Sequence, residues 1–323
     1  MIIRNIKNTV HALLFVAAFS LTTNAQQTAV KYDLNTIDLV ISKQEAAVPG
    51  IKAGNEAAVT WANPNSHQKT KIAFVYLHGF GASKREGQPV MKMLSEKYGA
   101  NVYEARLSEH GIDRVNGFEY LTPENYVASA KEAVAIGKML GEKVIVVSTS
   151  TGGTLSLTLA AADKEIAGLI LYSPFIDVLS PQMEVLLTAE GKAAFVKMNG
   201  SEIQKQNRPA EEAKYWSTSY HVNGYAALIK MLKDNMTTAT FQKVSCPVFV
   251  GYFYKNEQEQ DKVVSVPAIL KMYDSLGTPQ NKKEKVAFAE VGNHVIACDI
   301  RSKDWESVYN ETTHFIDSQL LNK

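Results

Sequence analysis

The residues best suited to do chemistry are Ser148-Thr149-Ser150-Thr151-Gly152-Gly153. They follow an apolar run at 144–147 and open an Ala- and Leu-rich stretch at 152–162. Strand, tight turn and helix together form the setting that displays a serine hydroxyl as a nucleophile. Such a turn strains the middle residue and lifts its Oγ clear of the backbone. It also needs small residues two positions before and two after, because strand and helix pass close there. The common spelling is G-x-S-x-G, and here Ser148 replaces the first glycine with another small residue. A serine-rich turn can also do no more than cap a helix. Partners elsewhere in the chain decide between the two readings.

A serine hydroxyl attacks only when a base takes its proton. Six histidines follow residue 25: His67, His78, His110, His221, His294 and His314. His294 comes directly after the last apolar run, at the end of a strand where Ser150 would also stand, and is read as the base. His110, after the second apolar run, is its rival. The imidazole in turn needs an acid to hold its tautomer. Asp261 follows the run at 248–253 and precedes Lys262-Val263-Val264. It is read as that acid, with Glu257, Glu259 and Asp177 as rivals. Ser, Asp, His is the chain order that this strand–turn–helix arrangement uses. An oxyanion would need two N–H donors. The Thr151 N–H, next after the nucleophile, is one. The Phe80 N–H, in the His78-Gly79-Phe80 turn, is the other.

Apolar runs at 72–77, 144–147, 166–172 and 248–253 are nearly continuous, the mark of strands buried on both faces. Runs at 102–107 and 286–291 read as two further strands. Helical spacing lies between them: 88–98 closed by Gly99, a helix capped by Thr122 with Pro123 at its first position and closed by Gly141, 152–162, 266–276 closed by Gly277, and 303–321. This alternation predicts the α/β class, with a mostly parallel sheet and helices on both faces. The segment 51–62 could add antiparallel edge strands, and the polar stretch up to 47 shows little pattern. Residues 175–240 break the rhythm between two core strands and are too long for a simple crossover. They read as a cap over the carboxyl ends of the strands, where such sheets bind ligands. Leu186, Leu187, Phe195, Tyr215, Trp216, Tyr220, Tyr225 and Met231 would wall a pocket or form the cap's own core. Arg85 and Glu86, after the oxyanion turn, read as solvated.

The composition fits a globular protein: 323 residues, 46% hydrophobic, 21% charged, net charge +1. Such balance argues against a nucleic-acid partner. Arg4 and Lys7, the apolar run 12–21, and Thr23 and Ala25 predict a cleaved leader over 1–25 and export to the periplasm or medium. Ten apolar residues span about 15 Å as helix, short of a hydrocarbon core of about 30 Å, so no stable membrane anchor is expected after cleavage. Cys246 and Cys298 fall at opposite ends of the strands, about 20 Å apart, and are expected to be free, buried thiols. With no HExxH, phosphate loop or Cys-His cluster, no metal or other cofactor is expected.

Tyr76-Leu77-His78-Gly79-Phe80-Gly81-Ala82-Ser83, Arg106-Leu107-Ser108-Glu109-His110-Gly111, the Ser150 turn, Asp261-Lys262-Val263-Val264 and His294 together resemble the α/β-hydrolase superfamily. Within it they look like the monoacylglycerol-lipase and serine-aminopeptidase-like carboxylesterases. The resemblance implies one hydrolase domain over 26–323 with the 175–240 cap inside it. It also implies a small-molecule ester or acyl substrate and an acyl-enzyme mechanism. Ser150 would attack, His294 shuttle protons and Asp261 orient His294, with the Phe80 and Thr151 N–H groups as the oxyanion hole. The group usually has glycine where Glu109 stands, which would put a charge near the entrance. A serine peptidase, a thioesterase or a non-catalytic binding protein on the same scaffold are the alternatives.

Overall fold

The computed structural model describes residues 33–321, and the leader expected over 1–25 lies outside them. Helix α1 (Ile37–Ala46) and strand β1 (Ala58–Thr60) lead into β2 (Thr70–Leu77), α2 (Val90–Tyr98), β3 (Asn101–Glu104), α3 (Pro123–Leu140), β4 (Gly141–Thr149), α4 (Thr151–Ala162) and β5 (Ile166–Tyr172). The segment after β5 holds α5 (Ala189–Asn199), β6 (Ile203–Lys205), α6 (Ala210–Ala213), β7 (Ser219–His221), α7 (Val222–Asn235) and α8 (Thr238–Lys243). The chain then returns through β8 (Val248–Phe253), α9 (Val266–Ser275), β9 (Lys283–Phe288) and α10 (Trp305–Phe315). Seven strands form one sheet in the order β1-β3-β2-β4-β5-β8-β9. Within this sheet, among the described residues, only the β1–β3 pair is antiparallel, as expected of an edge, and β6 and β7 form a separate antiparallel pair. Among the described residues no helix is long and apolar enough to cross a membrane.

The continuous apolar runs are explained by two cores, one on each face of the sheet. Ile72, Phe74 and Tyr76 pack with residues of α2 and α10. Their neighbours Ala73, Val75 and Leu77 pack with residues of α3, α4 and α9. Alternate residues of a strand face opposite ways, so a strand covered on both sides must be apolar at every position. Thr122 and Asn125 cap α3 reciprocally, with the Asn125 N–H donating to Thr122 Oγ1 and the Thr122 N–H to Asn125 Oδ1.

The sequence reading misplaces three elements. Helix α1, in the stretch read as unpatterned, buries only Ile37 and Ile41 and so shows little periodicity. Strand β3 ends at Glu104, short of the expected 107. Strand β9 lies at Lys283–Phe288 rather than 286–291. It is an edge strand whose lysines and glutamate face partly outward, and such charge is how edges avoid further pairing. The apolar Val291 belongs instead to the loop that carries His294, where it is fully buried.

Two glycines let helices approach the central strands. A Cβ on Gly137 would lie 2.3 Å from Val75 Cγ2, and one on Gly152 would lie 2.0 Å from the Leu77 carbonyl oxygen. The second contact is with backbone in the middle of the sheet, which cannot yield. Gly152→Ala is therefore expected to cost about 3 kcal/mol of stability, read as a lower urea midpoint. An unchanged midpoint would mean that α4 can lift off β2.

Candidate active site

Strand β4 ends in a turn that its backbone holds tightly. The Ser150 N–H donates to the Tyr172 carbonyl at 2.9 Å. The Ser150 carbonyl accepts from the Gly153 N–H at 2.8 Å and the Phe175 N–H at 2.9 Å. Ser150 itself sits at φ 54°, ψ −118°, a conformation that L-residues rarely adopt. Ser148, two residues earlier, is fully buried, with its Oγ 2.9 Å from Ser156 Oγ. The departure from the usual glycine is thus accommodated by a hydroxyl partner one turn into α4. Ser150 opens onto a cavity of about 1030 Å³ that is also lined by Gly79, Phe80, Thr151 and His294.

The structure brings Asp261 and His294 together. Asp261 Oδ2 lies 2.7 Å from His294 Nδ1. Asp261 Oδ1 accepts the Val263 N–H at 2.8 Å and the Val264 N–H at 3.1 Å. A carboxylate can only accept here, so Nδ1 carries a proton, and in the neutral imidazole Nε2 keeps its lone pair. Burial pushes the Asp261 carboxyl upward, but His294 and the two N–H donors outweigh it and hold it below the ordinary carboxylate range. The stability that this pairing adds is therefore complete above the ordinary carboxylate pKa and is lost as pH falls through the lowered one. The rival acids Asp177, Glu257 and Glu259 are exposed.

The other histidines have structural partners. His78 is fully buried, with Nδ1 2.9 Å from the Gly79 carbonyl and Nε2 accepting the Leu107 N–H at 3.2 Å. Burial lowers its pKa to about 4. His110, the rival base, is equally buried between the Ser108 carbonyl at 2.7 Å and the Tyr126 hydroxyl at 3.4 Å, and burial holds it well below the usual range. His221 Nδ1 accepts the Asn223 N–H and caps α7. His67 stacks on Trp61, and His314 is exposed on α10. Among the described residues, His294 is the one histidine that lines the cavity with Ser150.

The two expected oxyanion donors lie on this cavity, and among the described residues neither the Phe80 nor the Thr151 N–H has an acceptor. Thr151 is the first residue of α4, so the positive end of that helix faces the same place. The preceding N–H, that of Gly79, is taken by Glu86 Oε2 at 2.6 Å. This corrects the reading of Glu86 as solvated: it is buried, lines the cavity and holds the turn that presents Phe80. Burial pushes its carboxyl up, while Gly79, His294, Trp216 and Arg301 pull the other way. Arg85 is not free either, since it pairs with Asp299 at 2.7 Å. Nor does Glu109 add charge to the entrance; it pairs with Arg114 and is absent from the cavity wall. No local pattern announces Glu86, because one of its partners, Trp216, is distant in the chain.

The segment after β5 supplies much of the wall. Trp216, Tyr220 and Tyr225 line the cavity, whereas Leu186 and Phe195 pack within the segment's own cluster and Met231 joins the main core. Leu187 is exposed. The cysteines are free; Cys298 is buried and Cys246 only partly so, and burial raises both thiols to about 11. Among the described residues no cluster of three or more His, Cys, Asp or Glu could hold a metal ion.

No family model matches the chain. A thermostable monoacylglycerol lipase of Bacillus sp. (strain H-257) is 25% identical over 191 residues, which cover 58% of this chain and 72% of the lipase. Among solved structures, a metagenome-derived lipolytic enzyme of the LipS and LipT pair superposes with a TM-score of 0.65 at 18% identity, covering 83% of this chain and 99% of its own. A soluble variant of Saccharomyces cerevisiae monoglyceride lipase, bound to a substrate analogue, gives 0.58 at 15% identity, with 82% and 92% covered. Est1E of Butyrivibrio proteoclasticus, bound to ferulic acid, gives 0.55 at 18% identity, with 82% and 95% covered. The sheet order, the helices on both faces and these neighbours agree with the expected architecture: the chain has the α/β-hydrolase fold, similar to that of these lipolytic enzymes and esterases.

Proposed function

We propose that the chain hydrolyses carboxylic esters through an acyl-enzyme. His294 Nε2 takes the Ser150 proton as Oγ attacks the ester carbonyl, and the Phe80 and Thr151 N–H groups receive the developing oxyanion. The alcohol leaves with the proton from His294. Water then attacks the acyl-enzyme with His294 again as base, releasing the acid and restoring Ser150. Asp261 keeps the imidazole in the required tautomer and stabilises its charged form. The observation that carries this reading is the 2.7 Å Asp261–His294 pair on the wall of the cavity onto which the strained Ser150 turn opens. The test is turnover of a p-nitrophenyl ester by the protein and by its Ser150→Ala variant.

Residues 175–240 act in this reading as a cap that closes the acyl side of the cavity, supported by the apolar wall from Phe175, Met183 and Leu228. A serine peptidase would need a carboxylate for the substrate's amino terminus, and Glu211 or Glu212 would be the cap residues to supply it. Both are engaged, Glu211 with Lys214 at 2.5 Å and Glu212 with Arg301 at 2.6 Å. That favours the ester. Export is part of the proposal and is supported by the basic start, the apolar run 12–21 and the small residues Thr23 and Ala25. N-terminal mass spectrometry of protein secreted by a bacterial host is expected to find Gln26 first. Retention of residues 1–25 would overturn it.

A further inference from the structure

Two guanidinium groups on the Ser150 cavity share a single carboxylate behind its wall. Arg301 Nη2 lies 2.6 Å from Glu212 Oε2, and Arg208 Nη1 lies 4.0 Å from the same oxygen. Arg208 is held in plane by its Nε donating to the Ser217 carbonyl at 2.8 Å and its Nη2 to Gln206 Oε1 at 2.7 Å. The Arg301 guanidinium lies over the Trp216 ring, 5.3 Å from its centroid. Both arginines line the cavity, and Glu212 does not. Their side chains are 15% and 23% exposed, so bulk water screens them only in part.

Two positive charges against one leave a net positive charge on this wall. One arginine would have sufficed to neutralise Glu212, and a half-buried surplus charge is costly unless something pairs with it. Arg301 Nε is also a buried donor with no partner. Glu86, the buried carboxylate on the wall, is occupied by the Gly79 N–H, and burial holds its carboxyl up despite the pull of His294, Trp216 and Arg301. At the rim, Lys255 already faces Glu259 at 3.7 Å and Glu290 at 3.5 Å. Lys262 and Lys303 line the same cavity and have no ion-pair partner among the described residues. Phe175, Val178, Leu179, Met183, Leu228 and Ile229 supply an apolar part of the wall, so the cavity combines a greasy region with a cationic one.

We propose that Arg301 and Arg208 form an anion subsite, and that the ester carries a carboxylate besides its apolar part. Guanidinium forks suit a planar carboxylate better than a lysine would. The proposal rests on the esterase reading and narrows its substrate class to carboxylate-bearing esters, with the carboxylate on the acyl or on the alcohol side.

Two matched pairs test it. 4-Nitrophenyl hydrogen glutarate against 4-nitrophenyl pentanoate places the carboxylate on the acyl side. 4-Acetoxybenzoate against its methyl ester places it on the alcohol side. In one pair, kcat/KM for the charged ester is expected to exceed that of its neutral partner by about tenfold at low salt, and the ratio to fall as salt is raised. Arg301→Gln should collapse the ratio towards one. Glu212→Gln, which releases both guanidiniums, should raise it, a gain that a purely structural ion pair would not produce. A ratio of one or less in both pairs, or a ratio unmoved by both variants and by salt, overturns the subsite. Binding of the same four esters to the Ser150→Ala protein reads the subsite without turnover. Loss of all hydrolysis would therefore sink the esterase reading, whereas equal affinities within each pair would sink the subsite.

Discussion

Ser150→Ala is expected to lower kcat/KM for a p-nitrophenyl ester by about 10⁴- to 10⁶-fold without unfolding the protein. The size follows from what is removed. In the proposed mechanism no acyl-enzyme forms without Oγ, and what remains is the binding and oxyanion stabilisation that the cavity would offer to attack by water. The fold should persist because the turn is held by backbone. The Ser150 N–H still reaches the Tyr172 carbonyl, and its own carbonyl still accepts from Gly153 and Phe175. Alanine at φ 54° carries a strain similar to that of serine, so the denaturation midpoint should move little. A fluorophosphonate should label the parent at Ser150 and leave the variant unlabelled. Residual activity within tenfold of the parent, in a variant of normal stability, would mean that another group carries the attack.

The parts of this molecule that were legible in the sequence are those whose environment is set locally. Strands β2, β4, β5 and β8 are apolar at successive positions because helices cover both faces of the sheet, and that pattern is visible in a window of six residues. The Ser150 turn was visible because strand, small residues and helix are contiguous. Asp261 and His294 were reached by the position of each after a strand, and their 2.7 Å contact brings together residues 33 apart in the chain. What the sequence hid depends on distant partners. Strand β9 is an edge, so its charges broke the apolar pattern. Glu86 looks like one more surface acid, yet it is buried and accepts the Gly79 N–H, with Trp216 as a further partner. Arg208 and Arg301 lie 93 residues apart and acquire a joint meaning only through Glu212. Pairings made across the 175–240 segment have no periodicity by which a sequence could reveal them.

Asp261→Asn is the sharper test of the proposed mechanism, because it removes a charge while preserving shape. Asp261 Oδ1 accepts two backbone N–H groups, from Val263 and Val264. In the variant only the amide oxygen can accept them, so the amide nitrogen must turn towards His294 Nδ1. It arrives as a donor, and Nδ1 must then become an acceptor. The imidazole proton is forced onto Nε2, the atom that has to take the Ser150 proton. The hydrogen bonds survive and the cavity keeps its shape, but the base is held in the wrong tautomer. The expected loss is about 10⁴-fold in kcat, with KM changed little, since no group that touches the ester has been altered. Asp261→Ala removes the acceptor without enforcing that tautomer, and should leave more activity than Asp261→Asn even if it is less stable. If Asp261→Asn instead kept kcat within tenfold and raised KM, Asp261 would be a support for the cavity wall, and the acid that orients His294 would have to be sought elsewhere on it.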